Sequence, residues 1–213
     1  MTRILIADDH AIFREGLRQI LEDVQDLAIV DEASRGHEVM EKVSKHDYDI
    51  ILLDIAMPGM SGLDTLKLLR SQKPKMQVLI LSMYPEDQYA VRAIKAGAAG
   101  YITKASASEE LIEAIKKVSK GGRYISPAVA EKLLQDLEPE PGRPLHEKLS
   151  NREYQILCMI ARGKTVGEIA VELFLSVKTV STHRVHILEK MKMKSNAELT
   201  NYTLKNNLIS MTD

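Results

Sequence analysis

Five short apolar runs, each followed by an amphipathic stretch, fill the first 120 residues of this 213-residue chain. The runs are Ile4-Leu5-Ile6-Ala7, Ala28-Ile29-Val30, Ile50-Ile51-Leu52-Leu53, Val78-Leu79-Ile80-Leu81 and Gly100-Tyr101-Ile102. Continuous apolar runs are typical of strands buried on both faces, and the helical periodicity between them predicts the helices that cover them. We therefore predict an α/β domain over residues 1–122, with a parallel sheet and a functional crevice beyond the carboxyl ends of its strands.

A different pattern begins after residue 122. The proline-rich, charged stretch from Glu138 to Pro144 has no periodicity, which is typical of a linker. Ser126 and Pro127 are a favoured N-cap and first-turn residue, so we expect a short helix from Pro127 to Leu137 inside a linker spanning residues 123–145.

Helix-start signals dominate residues 146–213, where no strand signal returns. A hydroxyl residue followed three positions later by glutamate forms a capping box, and a further helix start is expected at Ser176. The three boxes are Ser150…Glu153, Thr165…Glu168 and Ser195…Glu198. Only Phe174-Leu175 separates the second and third predicted helices, which indicates a helix-turn-helix in an all-α domain of four short helices.

The composition limits the location and the class of the chain. Hydrophobic residues make up 45% and charged residues 28%, as in ordinary globular proteins. The single cysteine, Cys158, excludes an intramolecular disulfide and a Cys-rich zinc site, which favours a reducing cytoplasm. No signal peptide is evident, and no apolar run approaches the roughly 20 residues that span a bilayer, so we expect no membrane association.

The charge is divided unevenly along the chain. Residues 150–213 carry nine Lys/Arg and six Asp/Glu, a net charge of +3, whereas residues 1–149 carry −4. A basic end on an acidic body is compatible with DNA binding, but so small an excess leaves that question open by itself.

Carboxylates follow two of the predicted strands. Asp8 and Asp9 come directly after the first, and Asp54 comes directly after the third. Carboxylates that converge would repel one another unless a cation lay among them, and hard oxygen ligands suit Mg²⁺. A bound Mg²⁺ would neutralise an incoming phosphoryl group, and an aspartate can itself be the nucleophile.

Ser82 and Lys104 follow the fourth and fifth strands, where a hydroxyl and an ammonium could hold phosphate oxygens. Aspartate at a strand end is common turn chemistry, and any one of these residues alone would mean little. Five polar groups at four strand ends favour a phosphoryl-transfer site.

Three segments together resemble the receiver domain of two-component response regulators over its whole length. They are Ile6-Ala7-Asp8-Asp9-His10, Leu52-Leu53-Asp54-Ile55-Ala56-Met57-Pro58-Gly59-Met60-Ser61-Gly62 and Gly100-Tyr101-Ile102-Thr103-Lys104. The resemblance implies a flavodoxin-like (βα)5 fold. Ala105 stands where many receivers have a proline.

The resemblance also implies a role for each residue of the motifs. Asp54 would be the phosphoacceptor, and Lys104 would contact the phosphoryl group. Ser82 and Tyr101 would be the switch residues that respond to it. The implied Mg²⁺ ligands are Asp8 (through water), Asp9, Asp54 and the backbone carbonyl of Ala56.

Leu149-Ser150-Asn151-Arg152-Glu153 and the segment from Leu175 to His183 resemble the four-helix DNA-binding domain of the LuxR/NarL/FixJ type, over about residues 146–210. In that family the third helix enters the major groove. Its predicted inward face comprises Val180, Ile187, Leu188 and Met191. The candidates for base contacts are Ser181, Thr182 and Val185, and those for phosphate contacts are Lys178, Thr179, Lys190 and Lys192, with Arg184 able to reach a phosphate or an acidic neighbour.

The two resemblances predict a transcription factor rather than an enzyme. A histidine kinase would phosphorylate it, promoting homodimerisation and binding to double-stranded promoter DNA, with RNA polymerase as a further partner. An aspartyl phosphatase would need a second acid near the nucleophile, commonly two residues on, where Ala56 stands. A flavin-binding domain would need a phosphate-binding loop after the first strand, and Asp8-Asp9-His10 would repel the phosphate in the absence of a metal. A protein-binding output and a regulator that acts independently of phosphorylation remain as alternatives.

Overall fold

The computed structural model describes residues 1–106, 108–135 and 144–209, apart from the side chains of residues 87, 88 and 135. The chain forms two compact units, the first ending at Gln135 and the second represented by residues 144–209. Most of the predicted linker segment, residues 138–143, lies outside the described residues, as do residues 210–213 of the predicted DNA-binding domain.

The first unit is built on a five-stranded parallel sheet in the order β2-β1-β3-β4-β5. Its strands are β1 (Thr2–Ala7), β2 (Leu27–Ala33), β3 (Ile50–Asp54), β4 (Gln77–Ser82) and β5 (Gly100–Thr103). Every residue of β3 is buried, because β3 is the central strand and its apolar side chains meet helices on both faces. The predicted α/β fold with a parallel sheet is therefore confirmed, and β1 and β3 are neighbours in it.

Helices alternate with these strands, and each turns an apolar stripe toward the sheet. They are α1 (Ala11–Glu22), α2 (Gly36–Lys45), α3 (Gly62–Gln72), α4 (Glu86–Lys95) and α5 (Ser108–Ser119). In α5, the spacing of the buried residues Leu111, Ala114, Ile115 and Val118 is that of one helix face.

β2 departs from the prediction that Ala28-Ile29-Val30 is a strand buried on both faces. It lies at the edge of the sheet, where Val30 is 40% exposed. Its Asp31 and Glu32 form ion pairs with Lys42 of α2 and Arg14 of α1. An edge strand has one neighbouring strand, so it accommodates charged residues that a central strand would exclude.

The segment after α5 packs on the first unit instead of leaving it at residue 122. The Tyr124 amide donates to the Ala99 carbonyl over 2.8 Å, beside β5. Helix α6 (Pro127–Gln135) then packs on α4, and Ser126 caps it as predicted, accepting from the Val129 amide. The Ser126 hydroxyl also donates to Glu86 Oε2 of α4, 2.5 Å away. Because of these contacts the first unit extends through Gln135, past the start expected for the linker.

The second unit is all-helical, as predicted. A 3₁₀ helix (Leu145–Lys148) precedes α7 (Asn151–Ala161), α8 (Val166–Glu172), α9 (Val177–Met191) and α10 (Asn196–Lys205). Helix α7 is its core: it packs against α9 and α10, and Cys158 lies buried within it as expected for an apolar helix face. No described helix in either unit combines the length and apolar character needed to cross a membrane.

Two of the three predicted capping boxes are complete. In the boxes that begin α7 and α8, the hydroxyl accepts from the amide three residues on and the glutamate reaches back to the N-cap amide. The prediction for Ser195 and Glu198 is half right. The Ser195 hydroxyl accepts from the Glu198 amide, but Glu198 Oε2 accepts from the Lys194 amide, one residue before the N-cap. The helix start is nevertheless where the sequence predicts it.

Candidate functional site

The carboxyl edge of the sheet gathers the predicted acidic residues. Asp8 follows β1, Asp54 ends β3, and both side chains are buried, whereas Asp9 is partly exposed. The chain approaches Asp54 so closely at Gly62 that a Cβ there would lie 1.9 Å from the Asp54 carbonyl oxygen. Glycine at position 62 therefore lets α3 begin directly beside the carboxylates.

Lys104 lies between two of these carboxylates. Its Nζ is 2.5 Å from Asp8 Oδ2 and 2.8 Å from Asp54 Oδ2, and its side chain is only 3% exposed. The Phe13 ring lies on another side of the ammonium, with its centroid 4.6 Å away. The lysine thus supplies a buried positive charge that offsets the repulsion between the two acids.

Burial raises the pKa of the Asp54 carboxyl above its ordinary value, because the charged form loses its hydration. Lys104 acts in the opposite direction, and the neighbouring Asp8 adds to the increase. The other Asp54 oxygen, Oδ1, accepts from the Ala56 amide over 3.3 Å.

His10 joins the site, although no role for it was predicted from the sequence. Its Nδ1 lies 3.2 Å from Asp8 Oδ1 and 3.0 Å from Asp9 Oδ1, and its side chain is 61% exposed. The available signal was its position directly after the two aspartates, but adjacency in sequence does not reveal that the ring folds back over them.

The donor set suits a divalent cation. One ligand atom each from Asp8, Asp9, His10 and Asp54 can be chosen so that all lie within 4.8 Å of one another. Asp9 Oδ1 is buried and accepts no hydrogen bond from the described residues, although His10 Nδ1 lies 3.0 Å away. A buried carboxylate oxygen without a donor is poorly satisfied unless a cation binds it, so the residues fit the Mg²⁺ that the sequence predicts.

Ser82 and Tyr101 are connected through one loop. The Ser82 hydroxyl accepts from the Tyr84 amide over 3.1 Å, and the Tyr101 hydroxyl donates to the Tyr84 carbonyl over 2.7 Å. Tyr101 is buried, and this burial raises the pKa of its phenol. Tyr101, which the resemblance implies as a switch residue, lies inward here, and the Tyr84 carbonyl accepts from its hydroxyl.

An apolar groove of about 410 Å³ borders the acidic residues. Helix α1 forms most of its wall, and Ile12 and Met83 are 90% and 72% exposed. His10 and Lys104 line the same groove, so it opens toward the carboxylates.

In the second unit, Ser176 begins α9 by accepting from the Thr179 amide over 3.0 Å. Val180, Ile187 and Met191 are buried as predicted, and Leu188 is half-buried. The exposed side carries the predicted base-contact residues, Ser181, Thr182 and Val185, together with Lys178. Val177, in the first turn, is 57% exposed and was not among the predicted contacts.

Lys190 is differently placed from its predicted role as a phosphate contact. Its Nζ donates to both carboxylate oxygens of Glu153, over 2.8 and 2.6 Å. Glu153 is buried at the start of α7, and its Oε2 also accepts from the Ser150 amide. Lys190 therefore holds α9 against α7, since leaving it would strand a buried carboxylate without its cation.

Arg184 is engaged in a similar way. The sequence left it free to reach a phosphate or an acidic neighbour, but its Nε donates to Asn196 Oδ1 of α10 over 2.7 Å. Thr179 shares a 2.8 Å hydrogen bond with Ser176 across the helix start. Lys192, in a left-handed conformation, ends α9 and is exposed.

Comparison with known proteins matches both units. The response regulator receiver domain family matches residues 4–116, and the luxR family of bacterial regulatory proteins matches residues 147–203. The oxygen regulatory protein NreC of Staphylococcus carnosus is 39% identical, covering 97% of this chain and 99% of its own length. The response regulator GacA of Pseudomonas aeruginosa is 38% identical over 98% of both chains.

Among solved structures, RcsB from Salmonella enterica serovar Typhimurium, bound to promoter rprA in the presence of the phosphomimetic BeF3-, has a TM-score of 0.63 with this chain. The two are 25% identical, over 95% of this chain and 98% of RcsB. The match spans nearly the whole length of both proteins, so it covers the two units and not one alone.

Proposed function

The chain belongs to the NarL/FixJ-type response regulators, which join a receiver to a LuxR-type DNA-binding domain, and we propose that phosphoryl transfer from a histidine kinase to Asp54 promotes its dimerisation and its sequence-specific binding to promoter DNA. The main support for this function is the buried contact between Asp54 Oδ2 and Lys104 Nζ at the carboxyl edge of the sheet. It places the candidate nucleophile beside a cation that can follow the transferred charge.

Asp54 would act as the nucleophile. One of its oxygens attacks the phosphorus of a phosphohistidine; the P–N bond breaks as the P–O bond forms, and the imidazole nitrogen keeps the electron pair. Lys104 Nζ, already 2.8 Å from Asp54 Oδ2, would move its hydrogen bond to a phosphoryl oxygen. This exchange offsets the charge of about −1.5 to −2 that the phosphate adds.

The residues that would hold Mg²⁺ are Asp9, Asp54 and the backbone carbonyl of Ala56, with Asp8 acting through water. When bound, the ion neutralises charge on the phosphoryl oxygens. The donorless Asp9 Oδ1 supports this assignment.

The signal would leave the site through the loop after β4. Ser82 would donate its hydroxyl proton to a phosphoryl oxygen, and its loop would move with it, because Ser82 Oγ also accepts from the Tyr84 amide and the Tyr84 carbonyl accepts from Tyr101. Displacement of the loop would therefore change the packing of Tyr101 and α4, the helix on which α6 rests.

The apolar groove beside α1 supports a kinase as the phosphodonor. A phosphohistidine must come within bonding distance of Asp54, so part of the donor protein has to cover this edge of the sheet. The exposed Ile12 and Met83 provide apolar area for that contact.

Helix α9 would enter the major groove of the promoter. Its exposed side carries Lys178, Ser181, Thr182 and Val185, while its buried side anchors it to the domain core. Lys178 and Lys192 would contact phosphates.

The test compares wild type with Asp54→Ala during incubation with acetyl phosphate and Mg²⁺. Intact-mass measurement should show one added phosphoryl group in wild type and none in the variant. Asp23→Ala, which changes an exposed aspartate at the end of α1, is the matched control and should be labelled like wild type.

The same samples are then titrated with promoter DNA and sedimented. Labelled wild type should bind more tightly and contain a larger dimer fraction than Asp54→Ala. Undiminished labelling of Asp54→Ala would refute the phosphoacceptor assignment. Equal DNA affinity with and without the phosphoryl group would instead favour a regulator that acts independently of phosphorylation.

A further inference from the structure

The outward side of α9 presents methyl groups. Val185 is 48% exposed on this side, and the exposed Thr182 lies slightly less than one helical turn before it. The two residues are three apart in the helix, so their side chains are neighbours, about 5–6 Å apart at Cβ.

Thr182 contributes its methyl group because its hydroxyl is already used. Its Oγ1 donates to the Lys178 carbonyl of the preceding turn over 3.0 Å. This bond uses the only proton of the hydroxyl, so the oxygen can accept from a base edge but not donate to one, and the Cγ2 methyl remains for the surface.

The polar groups that most often read bases are scarce or engaged on α9. The helix contains no Asn or Gln, the residues that pair bidentately with adenine. Arg184, which could read guanine, donates to Asn196, and Lys190 donates to Glu153. Lys178 and Ser181 are therefore the polar side chains left on the outward side near the start of the helix, and His186 and Glu189 continue that side toward its end.

We propose that Thr182 and Val185 recognise thymine by methyl–methyl contact, so that each half-site carries thymines, one or two base steps apart, opposite these residues. The proposal rests on the proposed function, in which α9 enters the major groove. The C5-methyl of thymine is the apolar group that a base pair presents there, and it complements an apolar side chain better than any hydrogen-bonding base edge does.

The experiment removes the thymine methyl without changing a hydrogen bond. Full-length protein, activated with acetyl phosphate, selects duplexes from a random pool, and each thymine of the selected half-site is then replaced singly by deoxyuridine. At the two thymines facing Thr182 and Val185, binding should weaken about fourfold, the loss expected for exposing one methyl group.

Variants assign each contact. Thr182→Ser keeps the hydroxyl and removes only the methyl, so it should bind thymine and deoxyuridine equally at one position; Val185→Ala should do so at the other. Val171→Ala, an exposed valine of α8, is the matched control and should keep the wild-type preference at both positions.

Selected duplexes that tolerate deoxyuridine at every position would overturn the thymine assignment while leaving the DNA-binding function intact. The thymine assignment would also be overturned if both variants kept the full wild-type preference for thymine over deoxyuridine. Failure to select any duplex would refute the proposed function itself.

Discussion

The acidic crevice and the outward side of α9 use charge in opposite ways. In the crevice, Asp8 and Asp54 are buried on either side of Lys104, which contacts both carboxylates. On α9, the cations Arg184 and Lys190 each donate to a side chain of another helix of the same unit. The side chains near the start of the exposed face are then mostly uncharged.

This difference separates a site for chemistry from a surface for recognition. A buried group depends on its partner because water cannot replace that partner, so each substitution in the crevice should have a large effect. An exposed group on α9 is hydrated before it binds, so the contact it gains with DNA is offset by the water it loses, and single substitutions should change binding by small steps.

The largest expected effect is that of Lys104→Met. Removing the cation leaves Asp8 and Asp54 buried without it, and the free energy of unfolding of the first unit should fall by about 3 kcal/mol in the absence of divalent cations. Hydrogen exchange of the β-sheet amides measures this unit separately from the second.

Asp8→Asn provides the matched control. In the Lys104→Met background it should recover much of the loss, since one of the two repelling charges is gone. A loss below about 1 kcal/mol for Lys104→Met would mean that the crevice behaves like an exposed surface, and would break the comparison.

An intermediate effect is expected from Glu153→Ala, which removes both the capping contact to Ser150 and the ion pair with Lys190. Lys190 is 42% exposed, so solvent screens the pair, and the expected loss in the second unit is about 2 kcal/mol, most of it from the cap. Exchange of the α7 and α9 amides measures it. Glu153→Gln can still reach the Ser150 amide and should lose less.

The dependence of stability on pH in the acid range is a second test of the ion pair between Glu153 and Lys190. Burial would raise the pKa of Glu153, but hydrogen bonds from Lys190 and the Ser150 amide outweigh it, so the pKa lies below its ordinary value of 4.5. A carboxyl group whose pKa is lowered by folding stabilises the fold above pH 4.5. This stabilisation is lost as the pH falls through the pKa of the folded state. The advantage of wild type over Glu153→Gln should therefore shrink below pH 4.5; a constant difference down to pH 3 would contradict it.

The smallest effect concerns salt. Lys178→Ala should lower the slope of log affinity against log salt by about 1, since it removes one phosphate contact. Lys190→Ala should leave that slope unchanged, because Lys190 binds Glu153 instead of DNA. Equal reductions in both variants would show that Lys190 releases Glu153 when DNA binds.

The order of elements and the place of the acidic site follow from local sequence. Runs such as Ile50-Ile51-Leu52-Leu53 predict a central strand, and parallel topology places whatever follows it, here Asp54, at one edge. Asp8 and Lys104 are located by the same rule. This is why the members of the crevice are apparent before any coordinates.

Contacts between distant segments are not apparent in this way. Glu153 satisfies the capping-box pattern within three residues, which conceals that it also binds Lys190, 37 positions away. The apolar run Ala28-Ile29-Val30 does not reveal that its strand lies at the sheet edge, because strand order depends on the whole chain. The side chains available to DNA are those that tertiary contacts leave over, and local patterns do not show which these are.

The hydrogen bonds from Lys190 to Glu153 have a consequence for how a cell would use this protein. They join α9 to α7 inside a unit with its own core, so we expect the outward side of α9 to keep one shape whether or not Asp54 is phosphorylated. Phosphorylation would change the amount of protein that is able to bind DNA, and not the base sequence that it prefers. As the signal rises, promoters would then be occupied in order of their affinity for the protein, and genes with low-affinity sites would respond last.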